Sequence, residues 1–583
     1  MIMRKLLKFL KDYKKETVLA PLFKLLEASF ELLIPLVVAA IVDKGIGGGE
    51  LSYVYKMGGI MVLLGIVGLI AAVSAQFFAA KAAVGFGTGL RSALFGHIQS
   101  LSYTEIDTVG TSTLITRLTS DVNQVQSGVN MTLRLLLRSP FIVFGAMLMA
   151  FTVDVKSALI FVAVIPLLSV VVFGIMFVTM PMYKRVQKHL DEVLSLTREN
   201  LTGIRVIRAF HKENEEIEKF KTGNESLTSV QLMVGKISAL MNPVTYVIIN
   251  LGLVVLIYTG ALQVDTGRLS QGQVIALINY ISQILVELIK LANLIVLLTK
   301  AFSSANRISD IFEITSSMDE GGNASVVEDE KTPVLEFENV GFCYAGTEEE
   351  SLSDLTFSVY QGETVGIIGG TGSGKTTLVN LIPRFYDVTK GVLKFHGKPI
   401  GEYSTEELRG RVGIVPQKAV LFKGTVKSNL CWGKEDATLE EMEEALTISQ
   451  AKEFVDKLDE GLESFVAQGG KNFSGGQRQR LTIARALVRK PEILILDDST
   501  SALDYATDAK LRAGLKKRKE TMTTIIVSQR TSSIQYADKI VVLDDGNMVG
   551  LGTHSYLLEH CEVYQEIYDS QYQNAAEEVA ANE

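Results

Sequence analysis

Three stretches of this chain, Met57–Ala80, Ser157–Met180 and Ile237–Val264, contain no charged residue. Each is long enough to cross a bilayer as a helix, which takes about 20 apolar residues. Three more stretches are comparable but carry charge. Thr17–Val42 holds Lys24, Glu27 and Glu31, Leu135–Val153 holds Arg138, and Leu269–Leu298 holds Glu287 and Lys290. We count six spans between residues 17 and 312. An even number leaves both ends of the span region on one side. The mean hydropathy of +0.25 agrees with a chain whose first half has lipid as its solvent.

Lysine and arginine near the span ends set the orientation. The basic start, Lys81–Arg134 and Lys184–Lys236 are expected in the cytosol. The opposite loops, Asp43–Lys56, Asp154–Lys156 and Asp265–Arg268, are short. The first residues alternate Arg4, Lys5, Lys8, Lys11, Lys14 and Lys15 with Leu6, Leu7, Phe9 and Leu10. Residues 1–16 therefore read as an amphipathic elbow helix on the cytosolic membrane surface, not as a cleaved signal peptide. The two long cytosolic segments are polar and helix-compatible. They predict extensions of the spans, each with a short transverse helix at its tip, near Ser112–Val122 and Leu201–Phe210.

Residues 313–333 are acidic, glycine-containing and weakly apolar, which is linker composition. From Val334 to residue 568, short β-branched strands alternate with helical stretches, as in an α/β domain with a largely parallel sheet. Residues 569–583 are polar and acidic and predict a disordered tail. The only cysteines, Cys343, Cys431 and Cys561, lie in the second half. Their spacing suggests neither a disulfide framework nor a metal site, so reduced thiols are expected. A formal net charge of −8 gives no reason to expect nucleic acid as a partner.

Thr364–Ile368 reads as a buried strand leading into Gly369, Gly370, Thr371, Gly372, Ser373, Gly374, Lys375, Thr376 and Thr377, followed by helix-compatible residues. This is the phosphate-binding loop pattern in its strand–loop–helix setting. Glycines let successive N–H groups turn toward one anion, and the following helix adds its positive end. Lys375 is expected at the β- and γ-phosphates of a nucleotide, and Thr376 on Mg2+. The apolar strand Ile493–Leu496 ends in Asp497, the acidic partner that such a site needs for its metal.

Between these elements stands Asn472-Phe473-Ser474-Gly475-Gly476-Gln477. With the loop and Asp497, this run resembles the ATP-binding-cassette family, and the six spans before it resemble the family's exporters. The resemblance covers nearly the whole chain, although Phe473 replaces the commoner leucine and Gln468 an acidic residue common in exporters. It implies a six-helix transmembrane domain with domain-swapped helices and long cytosolic extensions, followed by an α/β P-loop cassette. It implies ATP and Mg2+ as ligands, with Tyr344 stacking on adenine, Gln417 joining Thr376 and Asp497 at the metal, and Asp504 communicating between sites. It also implies a head-to-tail pair of cassettes, in which Ser474, Gly475, Gly476 and Gln477 face the ATP of a second half-transporter.

Against that pattern, Asp498 stands where a hydrolysing cassette carries glutamate, and Gln529 where it carries a switch histidine. Shortening the carboxylate by one methylene withdraws it by roughly 1.5 Å, and even about 1 Å of misplacement lowers rates ~100-fold. A glutamine amide donates a hydrogen bond but does not titrate. The expectation is a degenerate, slowly hydrolysing site in one half of a heterodimeric exporter at the cytoplasmic membrane. Its cargo would be hydrophobic or amphipathic, such as drugs, lipids or peptides. The alternatives are a nucleotide-gated or regulatory subunit and an exporter-fold importer of metal chelates.

Charges inside spans are costly and are either functional or paired. Glu27, Glu31 or Glu287 facing a central cavity would attract cationic amphiphiles. Internal pairing, Lys24 with Glu27 and Glu287 with Lys290, is the other reading.

Overall fold

A computed structural model describes residues 6–322 and 331–581. The beginning of the basic start, up to Lys5, and residues 323–330 of the linker lie outside the described residues. The chain divides into two compact units. One comprises Met1–Gln99 and Thr111–Ile314, the other Ser100–Gly110 and Thr315–Glu583.

Among the described residues, the regular structure of the first unit is all helical. Six of these described rods are long and apolar enough to cross a membrane: Leu7–Ile46, Leu51–Gln99, Thr111–Val153, Val155–Thr202, Glu213–Asp265 and Gln271–Glu313. Within them run α1 (Lys14–Ala40), α2 (Leu51–Gln99), then, after the short helix α3 (Tyr103–Val109), α4 (Arg138–Val153), α5 (Val155–Thr202) and, last in the unit, α8 (Gln271–Glu313). At about 1.5 Å per residue, the 48 residues of α5 reach roughly 72 Å, more than twice the apolar thickness of a bilayer. The expected extensions follow from that length. Leu7–Tyr13 forms a short 3-10 helix that runs directly into α1.

Helix α2 shows how the rods meet. Ala71, Ala75, Ala79 and Ala82 are buried, and small side chains let helix backbones approach closely. The opposite side exposes Val62, Leu69, Val73 and Phe77, as a lipid-facing surface requires. Pro35 interrupts the hydrogen-bond ladder of α1. The buried Tyr280 of α8 donates to the Leu32 carbonyl at 2.7 Å within that same turn.

The charges in the spans form one cluster. Lys24 pairs with Glu27, and Lys290 with Glu287 at 2.8 Å, as the pairing alternative had it. Arg138 of α4, not anticipated as a partner, joins them. Its guanidinium donates to Glu287 at 2.6 Å and to Glu31 at 2.7 Å, and lies 3.9 Å from Glu27. Ser139 donates to the second Glu287 oxygen at 2.8 Å. Three cations thus face three carboxylates across α1, α4 and α8, so the cluster carries no net charge.

One short transverse helix sits as the sequence suggests: α6 (Ile204–Ala209), its surroundings exposing Leu201, Val206 and Phe210. It is followed by α7 (Glu213–Ala239). The other, α3 (Tyr103–Val109), lies upstream of the expected Ser112–Val122 and belongs to the second unit, although the sequence reading placed it in the membrane domain. Local capping decides its position. Ser102 and Glu105 form a capping box, and Gly110 at φ 81° ends the helix. Tyr103 then stacks 4.7 Å from Phe385, and Asp107 accepts from the Tyr386 hydroxyl at 2.6 Å.

The second unit is built on a ten-stranded sheet. Its strands are β1 (Leu335–Phe342), β2 (Leu352–Val359), β3 (Thr364–Gly369), β4 (Lys390–Phe395), β5 (Lys398–Pro399), β6 (Val412–Val415), β7 (Ile493–Asp497), β8 (Thr523–Val527), β9 (Lys539–Asp544) and β10 (Asn547–Gly552). They lie in the order β5-β4-β1-β2-β10-β9-β3-β8-β7-β6. The run β9-β3-β8-β7-β6 is parallel throughout, whereas β1 pairs antiparallel with β2 and β4. Every residue of β7 and β8 is buried, because helices cover both faces of a parallel sheet. Where a disordered tail was expected from residue 569, the final helix Glu562–Ala581 continues. Its sequence is rich in Glu, Gln and Ala and free of Gly and Pro, so helix propensity wins over polarity.

Arg138→Met leaves Glu287, only 2% exposed, without its strongest partner. The expected loss is about 3–5 kcal/mol, read as a lower unfolding temperature of the purified protein. Adding Glu287→Leu should recover part of it, because both buried charges are then gone. An unchanged melting curve for Arg138→Met would show that the cluster does not hold the three helices.

Candidate functional site

Parallel strands deliver their carboxyl ends to one edge, and the site is built there. Strand β3 ends at Gly369 and opens the loop to α9 (Lys375–Leu381). Gly374 sits at φ +90°, and a Cβ there would lie 2.7 Å from the Ser351 carbonyl oxygen, so both backbone angle and space demand glycine. Strand β7 ends at Asp497, and β8 leads through Ser528 to Gln529. A cleft of about 440 Å3 brings together Tyr344, Lys375, Thr376, Asp497, Asp498 and Gln529. Thr371, Gly372, Gly374, Thr377 and Gln417 also line it. Gly369, Gly370 and Ser373 stand in the same loop.

Lys375 is 8% exposed and folds back on its own loop. It donates to the Gly369 carbonyl at 3.0 Å and to Ser373 Oγ at 3.2 Å, and also to Gly370. Burial pulls its pKa below the ordinary lysine value, with Asp498 and Asp497 opposing that shift. Asp497 is pushed up, first by burial and then by the neighbouring Asp498 carboxylate, against the hydrogen bond from Thr376 and the charge of Lys375. These are the marks of a site short of positive charge on its carboxylate side and poised for an anion on its lysine side.

Thr376 Oγ1 donates to Asp497 Oδ1 at 3.2 Å. This hydroxyl–carboxylate pair, with Asp498 beside it, is an all-oxygen donor set of the kind Mg2+ takes together with phosphate oxygens, so the residues fit that ion. Bound there, Mg2+ would neutralise phosphate charge. Gln417 reaches the same place from the strand end of β6, where its Nε2 donates to Asp498 Oδ2 at 3.3 Å.

Tyr344 is half-buried. Its ring stands edge-on to Tyr386 at 5.4 Å, and its hydroxyl is 3.1 Å from Thr377 Oγ1. Asp498 has φ +43°, a conformation that Asp and Asn tolerate better than longer side chains.

Two expected groups lie elsewhere. Ser474 caps α10 (Gly475–Val488), accepting from the Gln477 amide while the Gln477 side chain accepts from the Ser474 amide at 2.9 Å. Ser474 and Gly475 are exposed and are not among the residues that line the cleft, so this helix start, with its positive end, is open to solvent. Phe473 is buried against Phe454, which accounts for an aromatic residue before the serine. Asp504 caps α11 (Tyr505–Lys516) by accepting from Thr507 N at 3.1 Å, and the Thr507 hydrogen bonds hold its carboxyl below the usual range.

The sequence reading missed two contributors. Tyr386 links Tyr344 to α3. Gln571 touches the backbone at Gln529. Neither belongs to a local pattern, since each acts through contacts with residues far away in the chain.

Lys375→Ala should weaken nucleotide binding by about 10- to 100-fold, the worth of one or two hydrogen bonds to charged phosphate. The unfolding temperature without nucleotide should stay near that of the parent, because Lys375 bonds only loop atoms. Titration with a fluorescent ATP analogue checks both halves of this statement.

Comparison with known proteins identifies the family. Residues 17–288 match the model of the ABC transporter transmembrane region, and residues 352–501 that of the ABC transporter. The chain is 37% identical to the Bacillus subtilis protein YfiB, an ABC transporter ATP-binding protein, over 98% of this chain and 99% of that one. It is 31% identical to the ATP-dependent lipid A-core flippase of Hahella chejuensis, over 88% of each. The solved structure of a bacterial Atm1-family ABC exporter with ATP bound shares its fold, with a TM-score of 0.79 at 22% identity over 96% of this chain and 99% of that one. The chain therefore belongs to the ABC transporter family, as an ATP-driven exporter half with one membrane region and one ATP-binding cassette.

Proposed function

We propose that this chain is the slowly hydrolysing half of a heterodimeric exporter. It holds MgATP between Tyr344, the loop Gly369–Thr377 and Asp497, and lends Ser474–Gln477 to the ATP of a second half-transporter. The observation that carries this reading is the carboxylate at position 498. It belongs to an aspartate on a left-handed backbone, and it is engaged by Gln417 at 3.3 Å. A base must reach the attacking water by hydrogen bond, and this one is a methylene short. Gln529 lines the same cleft, where its amide donates to the γ-phosphate of ATP without titrating. Both departures weaken one chemical step, the activation of water, and leave the phosphate cradle whole.

A second half is supported by two exposed surfaces. The start of α10 offers unpaired N–H groups suited to a phosphate on another chain. The tip around α6 exposes Leu201, Val206 and Phe210, apolar groups that a swapped contact would cover. Both termini and the cassette lie in the cytosol on this reading, with the spans in the cytoplasmic membrane.

The cargo is a hydrophobic or amphipathic molecule, with membrane lipid among the substrates. The ionic cluster supports this choice, since its three carboxylates are matched by three cations and offer a cavity no net charge. A flippase for lipid A-core among the relatives points to the same class.

Purified alone, the chain should bind ATP yet turn it over at roughly one-hundredth the rate of the assembled pair. Asp498→Glu combined with Gln529→His should raise the rate of the chain's own site by about tenfold or more. Phosphate release by each chain alone and by the pair gives the comparison. Brisk turnover by the unmodified chain alone would sink the reading.

A further inference from the structure

The loop that carries Gln529 is held from outside the cleft. After Gln529 and Arg530 the chain enters α12 (Thr531–Ile534), a helix of four residues whose first N–H has no partner within the helix. That partner comes from α13 (Glu562–Ala581), the last helix. Gln571 Oε1 accepts from both Thr531 N and Thr531 Oγ1 at 2.9 Å. Its Nε2 donates to the Gln529 main-chain carbonyl at 2.7 Å. One side-chain amide thereby bonds main-chain atoms on both sides of Arg530. The amide can stand only one way round, because one neighbour needs an acceptor and the other a donor.

The clamp is itself anchored. Tyr564 and Cys561 are buried in the core at the start of α13, and Tyr564 OH lies 2.7 Å from His554 Nδ1. On the other side, Thr531 is fully buried. Gln529 and Arg530 are both exposed, and of the two it is Gln529 that lines the cleft.

We infer that Gln571 is a positioning residue: by clamping the backbone around Arg530 it fixes where the Gln529 side chain stands relative to the γ-phosphate of ATP. This rests on the proposed role of Gln529 at that phosphate. The final helix then contributes to telling ATP from ADP, although Gln571 touches neither nucleotide.

The experiment measures Mg-ATP and Mg-ADP affinities of the full-length chain in lipid nanodiscs and reads their ratio. Gln529→Ala should reduce the preference for ATP by about tenfold, the worth of one hydrogen bond to a charged group. Gln571→Ala should reduce it by about threefold or more while ADP affinity stays unchanged. Gln571→Glu keeps both accepted hydrogen bonds and loses the donated one, so it should also reduce the preference; it carries the test if Gln571→Ala unfolds. In the Gln529→Ala background, Gln571→Ala should have no further effect on the ratio. If Gln529→Ala alone leaves the ratio unchanged, the phosphate role of Gln529 fails and the inference with it. If Gln529→Ala lowers the ratio but neither Gln571 variant does, the clamp alone is wrong. An equal fall from Gln571→Ala with and without Gln529 would show a merely structural role and overturn the inference.

Discussion

The register of three parallel strands governs the nucleotide site. Strands β3 and β7 both pair with β8, so Ile367 and Asp497 each lie opposite Val527. That alignment puts the loop after β3, the carboxylates at the end of β7 and the loop with Gln529 after β8 at one edge. Thr376 and Asp497, 121 residues apart in the chain, then meet at 3.2 Å. A one-residue slip would turn every side chain of a strand to the other face. Every residue of β7 and β8 is buried, so a slip there would misfit the packing on both faces of the sheet.

What the sequence makes legible in such a site is whatever local spacing encodes. The glycine loop, Lys375 and Thr376 belong to one short pattern, and Asp497 ends a strand visible from its apolar run. The six spans were legible for a similar reason, since length and hydropathy are local properties. The transverse helix α3 was displaced from its expected place because its limits depend on a capping box and one left-handed glycine. Its attachment to Phe385 and Tyr386 depends on residues nearly 280 positions away. From residue 569 the last helix reads as a tail in the sequence because its residues are polar. Polarity reports how little a segment can bury, while helix propensity reports what its backbone does.

The charges of the membrane unit show the same division. Spacing of three along a helix gave away Lys24 with Glu27 and Glu287 with Lys290. No spacing gives Arg138 with Glu31 and Glu287, since those pairs bridge helices 107 and 149 residues apart. The interhelical bonds matter more. Glu287 would otherwise be a buried carboxylate with one flexible lysine, whereas a guanidinium offers a rigid fork that reaches two carboxylates at once. The cluster therefore turns five charged side chains on α1 and α8 into a joint with α4.

Asp498 and Gln529 differ from the rest of the cleft in how they are held. The cradle is fixed by steric necessity, as at Gly374, where a side chain would strike the Ser351 carbonyl. Asp498 is held by its backbone, with its amide bonded to Val527 and its carbonyl accepting from Ser501. Gln529 is held through its own carbonyl and the next helix start, by Gln571. Both positions therefore keep a defined backbone and specific partners. The role proposed for this chain, holding ATP while activating water slowly, needs that order, because the phosphates must still be recognised.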